Sequence, residues 1–117
     1  MHTKEVVRDY FERLARGAAW EALLADDFHF TSHTSPVKEV VGKAAFLEAT
    51  QRFYRSIQSF EVRDLLVDGA KACGLTRYQL RSPVGTTFQS DVAEVFTVGN
   101  DQIEALAIYF DSAPFPK

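Results

Sequence analysis

Three helical stretches, one of them short, followed by a long run of strands predict an α+β fold with the helices packed on one face of an antiparallel sheet. Three observations carry this reading. Apolar residues recur with a period of about 3.6 over residues 3–16 and 43–57. The period changes to two after Ser59 and stays there. The interruptions in that second half are short and made of turn residues: Asp68-Gly69, Pro83-Val84-Gly85 and Gly99-Asn100-Asp101.

Residues 3–16 place Val6, Val7, Tyr10, Phe11 and Leu14 on one stripe. Thr3 is the expected N-cap and Gly17 the expected stop. A short second helix turns Trp20, Leu23 and Leu24 inward and ends near Asp26-Asp27. Phe28 to Thr34 alternates, with Phe28, Phe30 and Ser32 on one face and His29, Thr31 and His33 on the other. This is a short strand, closed by Ser35-Pro36 because proline cannot donate to a ladder. The third helix, 43–57, repeats the apolar stripe through Phe46, Leu47, Thr50, Phe53, Tyr54 and Ile57. Strands are expected at 60–67, 71–81, 86–98 and 103–111, and short loops between long strands imply a meander.

The chain has 117 residues, which predicts a single domain over 1–117. It is 46% hydrophobic, with ten Phe, four Tyr and one Trp, enough to build a core without a disulfide or a metal. Thirteen basic against sixteen acidic residues, with the basic ones scattered singly, argue against nucleic acid as a partner. Cys73 is the only cysteine, which excludes an intrachain disulfide and CxxC metal or redox motifs. The charged N-terminus is unlike a signal peptide, no apolar run approaches the ~20 residues that span a bilayer, and a cytoplasmic setting is expected.

The last two strands are apolar on both faces. Val92, Phe96 and Val98 oppose Ala93 and Val95; Leu106, Ile108 and Phe110 oppose Ile103, Ala105, Ala107 and Tyr109. One face meets the helices, so a homodimer through the outer face is the expected way to cover the other.

Glu94 is the first candidate for chemistry. It lies between Val92 and Phe96 on an apolar strand face. Burial there disfavours the charged form and raises its pKa, so that it can donate a proton or a hydrogen bond near neutral pH. The competing reading is a rim glutamate that reaches solvent or pairs with an arginine such as Arg77. Tyr10 sits on the buried stripe of the first helix, where its hydroxyl needs a partner, within the core if not within a site. His33 and His29 have the side chain best suited to proton transfer at neutral pH. Alternation, however, puts both opposite Phe28, Phe30 and Ser32, and only a bend at the strand end would turn His33 inward. Asp111 is expected to be a strand-terminal turn residue and Cys73 a small buried filler. No acidic cluster accompanies Asp26-Asp27, and His29 and His33, although four apart, lie on a strand and are not helix neighbours, so no metal is implied. Glycines sit singly in turns, with no phosphate-binding loop.

Several segments together resemble a known family. They are Val-Val-Arg-Asp-Tyr-Phe (6–11), Leu-Leu-Ala-Asp-Asp-Phe-His-Phe (23–30), Gly-Lys-Ala-Ala-Phe-Leu (42–47), Ala-Glu-Val-Phe-Thr-Val-Gly-Asn-Asp-Gln-Ile-Glu (93–104) and Ile-Tyr-Phe-Asp (108–111). In this order the chain resembles the nuclear transport factor 2-like proteins of the SnoaL-like and ketosteroid-isomerase-like kind. The resemblance implies a cone, a curved sheet around the helices with an apolar pocket at its open end. It implies a small apolar organic ligand and acid–base chemistry of isomerase, cyclase, dehydratase or hydrolase type that needs no cofactor. It places Glu94 where the isomerases keep a protonated Asp, and Tyr10 where they keep the oxyanion Tyr. It places Ser32 at their general base and Ile108 at the base of the cyclases, so neither base is present and His33 is the candidate replacement. Ser32, Phe30, Trp20, Tyr54, Phe96, Ile108 and Phe110 are the candidate ligand-binding lining. Two further expectations stand beside catalysis: a binding module without turnover, or an interaction subunit whose cone is filled by Trp20, Phe53, Tyr54 and Phe88.

Overall fold

The computed structural model describes residues 2–34 and 36–115. Helix α1 spans Thr3–Arg16, a 3₁₀ turn spans Trp20–Leu23, and strands β1 (Leu24–Ser32) and β2 (Lys38–Val41) follow. Helix α2 (Lys43–Ser56) leads into β3 (Ile57–Asp68), β4 (Lys71–Arg81), β5 (Thr87–Gly99) and β6 (Gln102–Phe110). None of these helices is long and apolar enough to cross a membrane.

The six strands form one sheet in the order β2-β1-β6-β5-β4-β3. The meander β3 to β6 is antiparallel as expected, but β1 joins β6 in parallel, so the sheet is mixed. The β5–β6 hairpin closes on Asn100 and Asp101, both with positive φ, as a two-residue turn of this hand requires.

Among the described residues two α-helices are present rather than three helices. The expected second helix is a single 3₁₀ turn, because only four residues separate Ala19 from the strand that begins at Leu24. Asp26 and Asp27 accordingly lie in β1, exposed, where its register on β6 shifts. The N-cap of α1 is His2 rather than Thr3, with Glu5 accepting the His2 backbone N–H at 3.3 Å. Gly17 ends the helix at φ 66°, a left-handed cap that glycine adopts without steric cost. The strand expected over 28–34 starts at Leu24 and stops at Ser32, and Ser35 lies outside the described residues.

Both helices cover the inner face of the sheet. Val6, Val7, Tyr10 and Phe11 of α1 and Phe46 of α2 meet Phe28, Phe30, Phe96, Ile103 and Leu106 in the main core. A second cluster, Tyr78, Leu80 and Val92 with Phe53, Phe88, Phe110 and Phe115 against it, continues toward one end of the sheet. Gly74 lets α1 come close: a Cβ there would stand 3.2 Å from Phe11 Cζ. Ile103 is fully buried, not on the outer face, because a bulge between Thr97 and Val98 breaks the alternation of the β5–β6 pair.

Candidate functional site

The site is built on the inner face of β4 and β5. Positions 88, 90, 92, 94 and 96 of β5 and 72, 74, 76, 78 and 80 of β4 share that face, so one alternating pattern brings Glu94, Tyr78, Thr76 and Ser90 together. Register adds a row across the sheet. Ser32 pairs with Ile108, Ile108 with Glu94, and Glu94 with Gly74. Ser32 therefore faces the same interior about two strand spacings, or ~10 Å, from Glu94.

Glu94 is 4% exposed. The Tyr78 hydroxyl donates to both of its carboxyl oxygens, at 2.9 Å to Oε1 and 3.0 Å to Oε2. Burial pushes the Glu94 pKa up from 4.5 to about 7, and hydrogen bonding pulls the other way without overcoming it. Thr76 also faces the carboxyl and favours its ionised form. Thr76 Oγ1 and Ser90 Oγ are both buried without a well-formed hydrogen bond among the described residues, a cost usually offset by water or a ligand. Arg77 is not part of this cluster: it points to the other face and pairs with Asp91 at 2.8 Å.

A second hydroxyl pair adjoins the first. Tyr10 and Tyr54 share a hydrogen bond of 2.7 Å. Tyr10 is thus not the direct partner of Glu94. Its ring packs edge-on against Phe11, Trp20 and Phe96, and Trp20 stacks on Tyr54 at 4.2 Å. Burial drives the pKa of Tyr10, Tyr54 and Tyr78 well up, and the nearby Glu94 charge adds to the rise in each. All three phenols therefore keep their protons: Tyr78 donates to Glu94, and of Tyr10 and Tyr54 one donates to the other.

Trp20, Tyr54, Phe53 and Tyr78 form a continuous chain of ring contacts through the interior. Phe53 is its outer link. It packs on Tyr78 at 5.3 Å and lines a groove of about 920 Å³ at the end of the sheet. Phe88 and Phe115 join Phe53 on the groove's apolar wall, and Arg52, Arg55 and Arg81 border it. Following β5 inward from Phe88 one meets Ser90, Val92 and then Glu94. Phe110 packs against Phe115 behind the groove, while Phe30 and Phe96 lie in the deeper core.

His33 does not enter this interior. It lies exposed beyond β1, its ring stacked on Tyr109 of the outer face at 4.4 Å, with its backbone N–H bonded to the Ile108 carbonyl. The backbone bond fixes the strand end and removes the bend that would turn the ring inward. His29, half-buried on the same face, is likewise remote from Glu94. Cys73 is only partly covered on the outer face, not a core filler. Asp111 accepts the Ala113 N–H at 2.9 Å in the turn after β6.

Tyr78 is the residue the sequence pattern did not single out. The available signal was Ala72, Gly74, Thr76, Tyr78 and Leu80 in alternation, but matching that face to Glu94 needs the β4–β5 register.

The family model described as SnoaL-like domain matches residues 7–106. Solved structures of the same shape include a candidate SnoaL-like polyketide cyclase from Mesorhizobium loti, 21% identical, with a TM-score of 0.78 over 93% of this chain and 99% of that one. A candidate ketosteroid isomerase from Kribbella flavida is 21% identical, with a TM-score of 0.78 over 98% and 82%. A nuclear transport factor 2-like protein from Burkholderia thailandensis is 18% identical, with a TM-score of 0.83 over 97% and 94%. At these identities the likeness is one of fold. No curated protein matches the chain.

Proposed function

The chain belongs to the SnoaL-like domain family, and we propose that it binds a small, largely apolar organic molecule between the end groove and Glu94 and performs acid–base chemistry on it. One observation carries the reading: Glu94 is a buried carboxyl held by a phenol rather than by a cation, with a pKa of about 7. Such a group is close to half protonated at neutral pH. It can pass a proton to a ligand oxygen or take one back with little driving force lost in either direction. Tyr78 donates to its ionised form and damps the loss of charge stabilisation. The unpartnered hydroxyls of Thr76 and Ser90 offer polar contacts to the same ligand. Ser32 and Ile108, in the row of Glu94, supply no second base, so Glu94 acts in both roles.

Glu94→Gln tests this directly. A compound from a thermal-shift screen that wild type converts, with a pH dependence centred near 7, is expected to bind the variant and remain unconverted. Unchanged turnover by the variant sinks the catalytic reading. Phe53 favours a second reading, a binding module, because its ring stands between the groove and Tyr78. That reading expects the compound to bind wild type and be recovered unaltered.

The outer face is proposed to be covered by a second copy of the chain. Tyr109 is 49% exposed there and Leu75 40%, with Ala93, Val95 and Ala107 between them on neighbouring strands. Sedimentation as a dimer that Tyr109→Arg converts to a monomer would support it; a monomeric wild type would contradict it.

A further inference from the structure

We propose that the end groove selects an organic anion: a carboxylate or sulfonate carried on an apolar body, held at the rim by Arg52, Arg55 and Arg81. This rests on the ligand-binding reading above and adds the charge and the orientation of the ligand. The chain as a whole has more acidic than basic residues, yet the groove lining brings three guanidiniums together and contains no Asp or Glu. Arg52 and Arg55 come from the last turns of α2, and Arg81 from the end of β4. Among the described residues none of the three is paired with a carboxylate. Elsewhere Arg13, Arg63 and Arg77 each have an acidic partner while Arg8 and Arg16 have none among the described residues, so what sets the groove apart is that three unpaired guanidiniums converge on one opening.

Beneath this rim the wall is apolar, formed by Phe53, Phe88 and Phe115. A forked guanidinium beside a low-dielectric wall suits the paired oxygens of a carboxylate or sulfonate and gives less to a neutral polar group. Glu94 fixes the direction. When ionised it repels an anion from the inner end, and when protonated its buried apolar surroundings still disfavour one, so the ligand's charge stays at the rim and its neutral end points past Phe53 toward Tyr78 and Glu94. Any atom that exchanges a proton with Glu94 is then remote from the anionic group.

The test uses two dyes of one shape on the intact protein: anilinonaphthalene sulfonate and N-phenylnaphthylamine, which lacks the sulfonate. Fluorescence titration of wild type should show the sulfonate bound at least ~tenfold more tightly, a preference that added salt erodes. The triple variant Arg52→Gln, Arg55→Gln, Arg81→Gln should lose that preference and keep its affinity for the neutral dye within about twofold. Glu94→Gln should retain the preference, which separates this inference from the catalytic one. Equal affinities in wild type, or sulfonate binding untouched in the triple variant, would overturn the anion assignment while leaving a neutral-ligand site standing. Binding of neither dye would overturn both.

Discussion

Replacing Glu94 by Gln should make the protein more stable above neutral pH and change it little in acid. The folded-state pKa of Glu94 is about 7 against 4.5 for a free side chain. Between those values the folded protein holds a proton that the unfolded chain has released, so stability falls as pH rises. The contribution is fully present below 4.5 and lost by the time pH has passed through about 7. At ~1.36 kcal/mol per pH unit, the whole swing amounts to about 3 kcal/mol. Gln has nearly the same shape, accepts the Tyr78 hydroxyl and does not titrate, so it removes the swing. Urea denaturation of both proteins across this range gives the assay, and the quantity to plot is the difference in unfolding free energy. Every other titrating group is common to the two and cancels. The difference should rise by about 3 kcal/mol with pH and then level off, equivalent to a shift in Tm of about 10 °C at the alkaline end. Parallel stability curves would refute the reasoning, since a solvated or cation-paired carboxyl gives no such slope.

Other expectations follow from the same geometry. Tyr78→Phe keeps the ring contacts with Phe53 and Phe60 but removes both hydrogen bonds to Glu94. It should cost ~1.5–3 kcal/mol where Glu94 is ionised and less in acid, and should raise the Glu94 pKa further; a cost independent of pH would contradict the pairing. Gly74→Ala would put a methyl 3.2 Å from Phe11 Cζ and 3.3 Å from its Cε2. Chemical denaturation should register a loss of ~1–3 kcal/mol, and a neutral result would mean that α1 is not seated tightly over β4.

The parts of this fold that were legible in the sequence are those with an uninterrupted period. The apolar stripe of α1 and the alternation of β4 locate those elements to within a residue or so, whereas β3 begins at Ile57, directly on the end of α2 and before the expected start at 60. The placement of Glu94 on a buried face also follows from Val92 and Phe96 alone. What was not legible depends on register. Ile103 reads as an outer-face residue until the bulge near Val98 shifts its partner, and the parallel pairing of β1 with β6 joins segments about eighty residues apart with no local signal. Strand β2 has four residues, mostly exposed and on the edge, too few to show alternation. At the site the same limit applies. The family resemblance sets Tyr10 beside Glu94, but only cross-strand pairing reveals that Tyr78 reaches the carboxyl and Tyr10 turns to Tyr54. His33 fails for a local reason: the bond from its N–H to the Ile108 carbonyl holds the chain straight and leaves the ring beside Tyr109.

The central claim is that Glu94 is poised between its two protonation states at neutral pH. Carbon NMR of protein labelled at the glutamate side-chain carboxyl tests it most directly, because each carboxyl resonance moves as its own group titrates. One resonance should titrate with a midpoint of about 7, and it should be missing from Glu94→Gln. If every glutamate in the wild type titrates near 4.5 instead, Glu94 is an ordinary carboxylate and the acid–base role assigned to it is wrong.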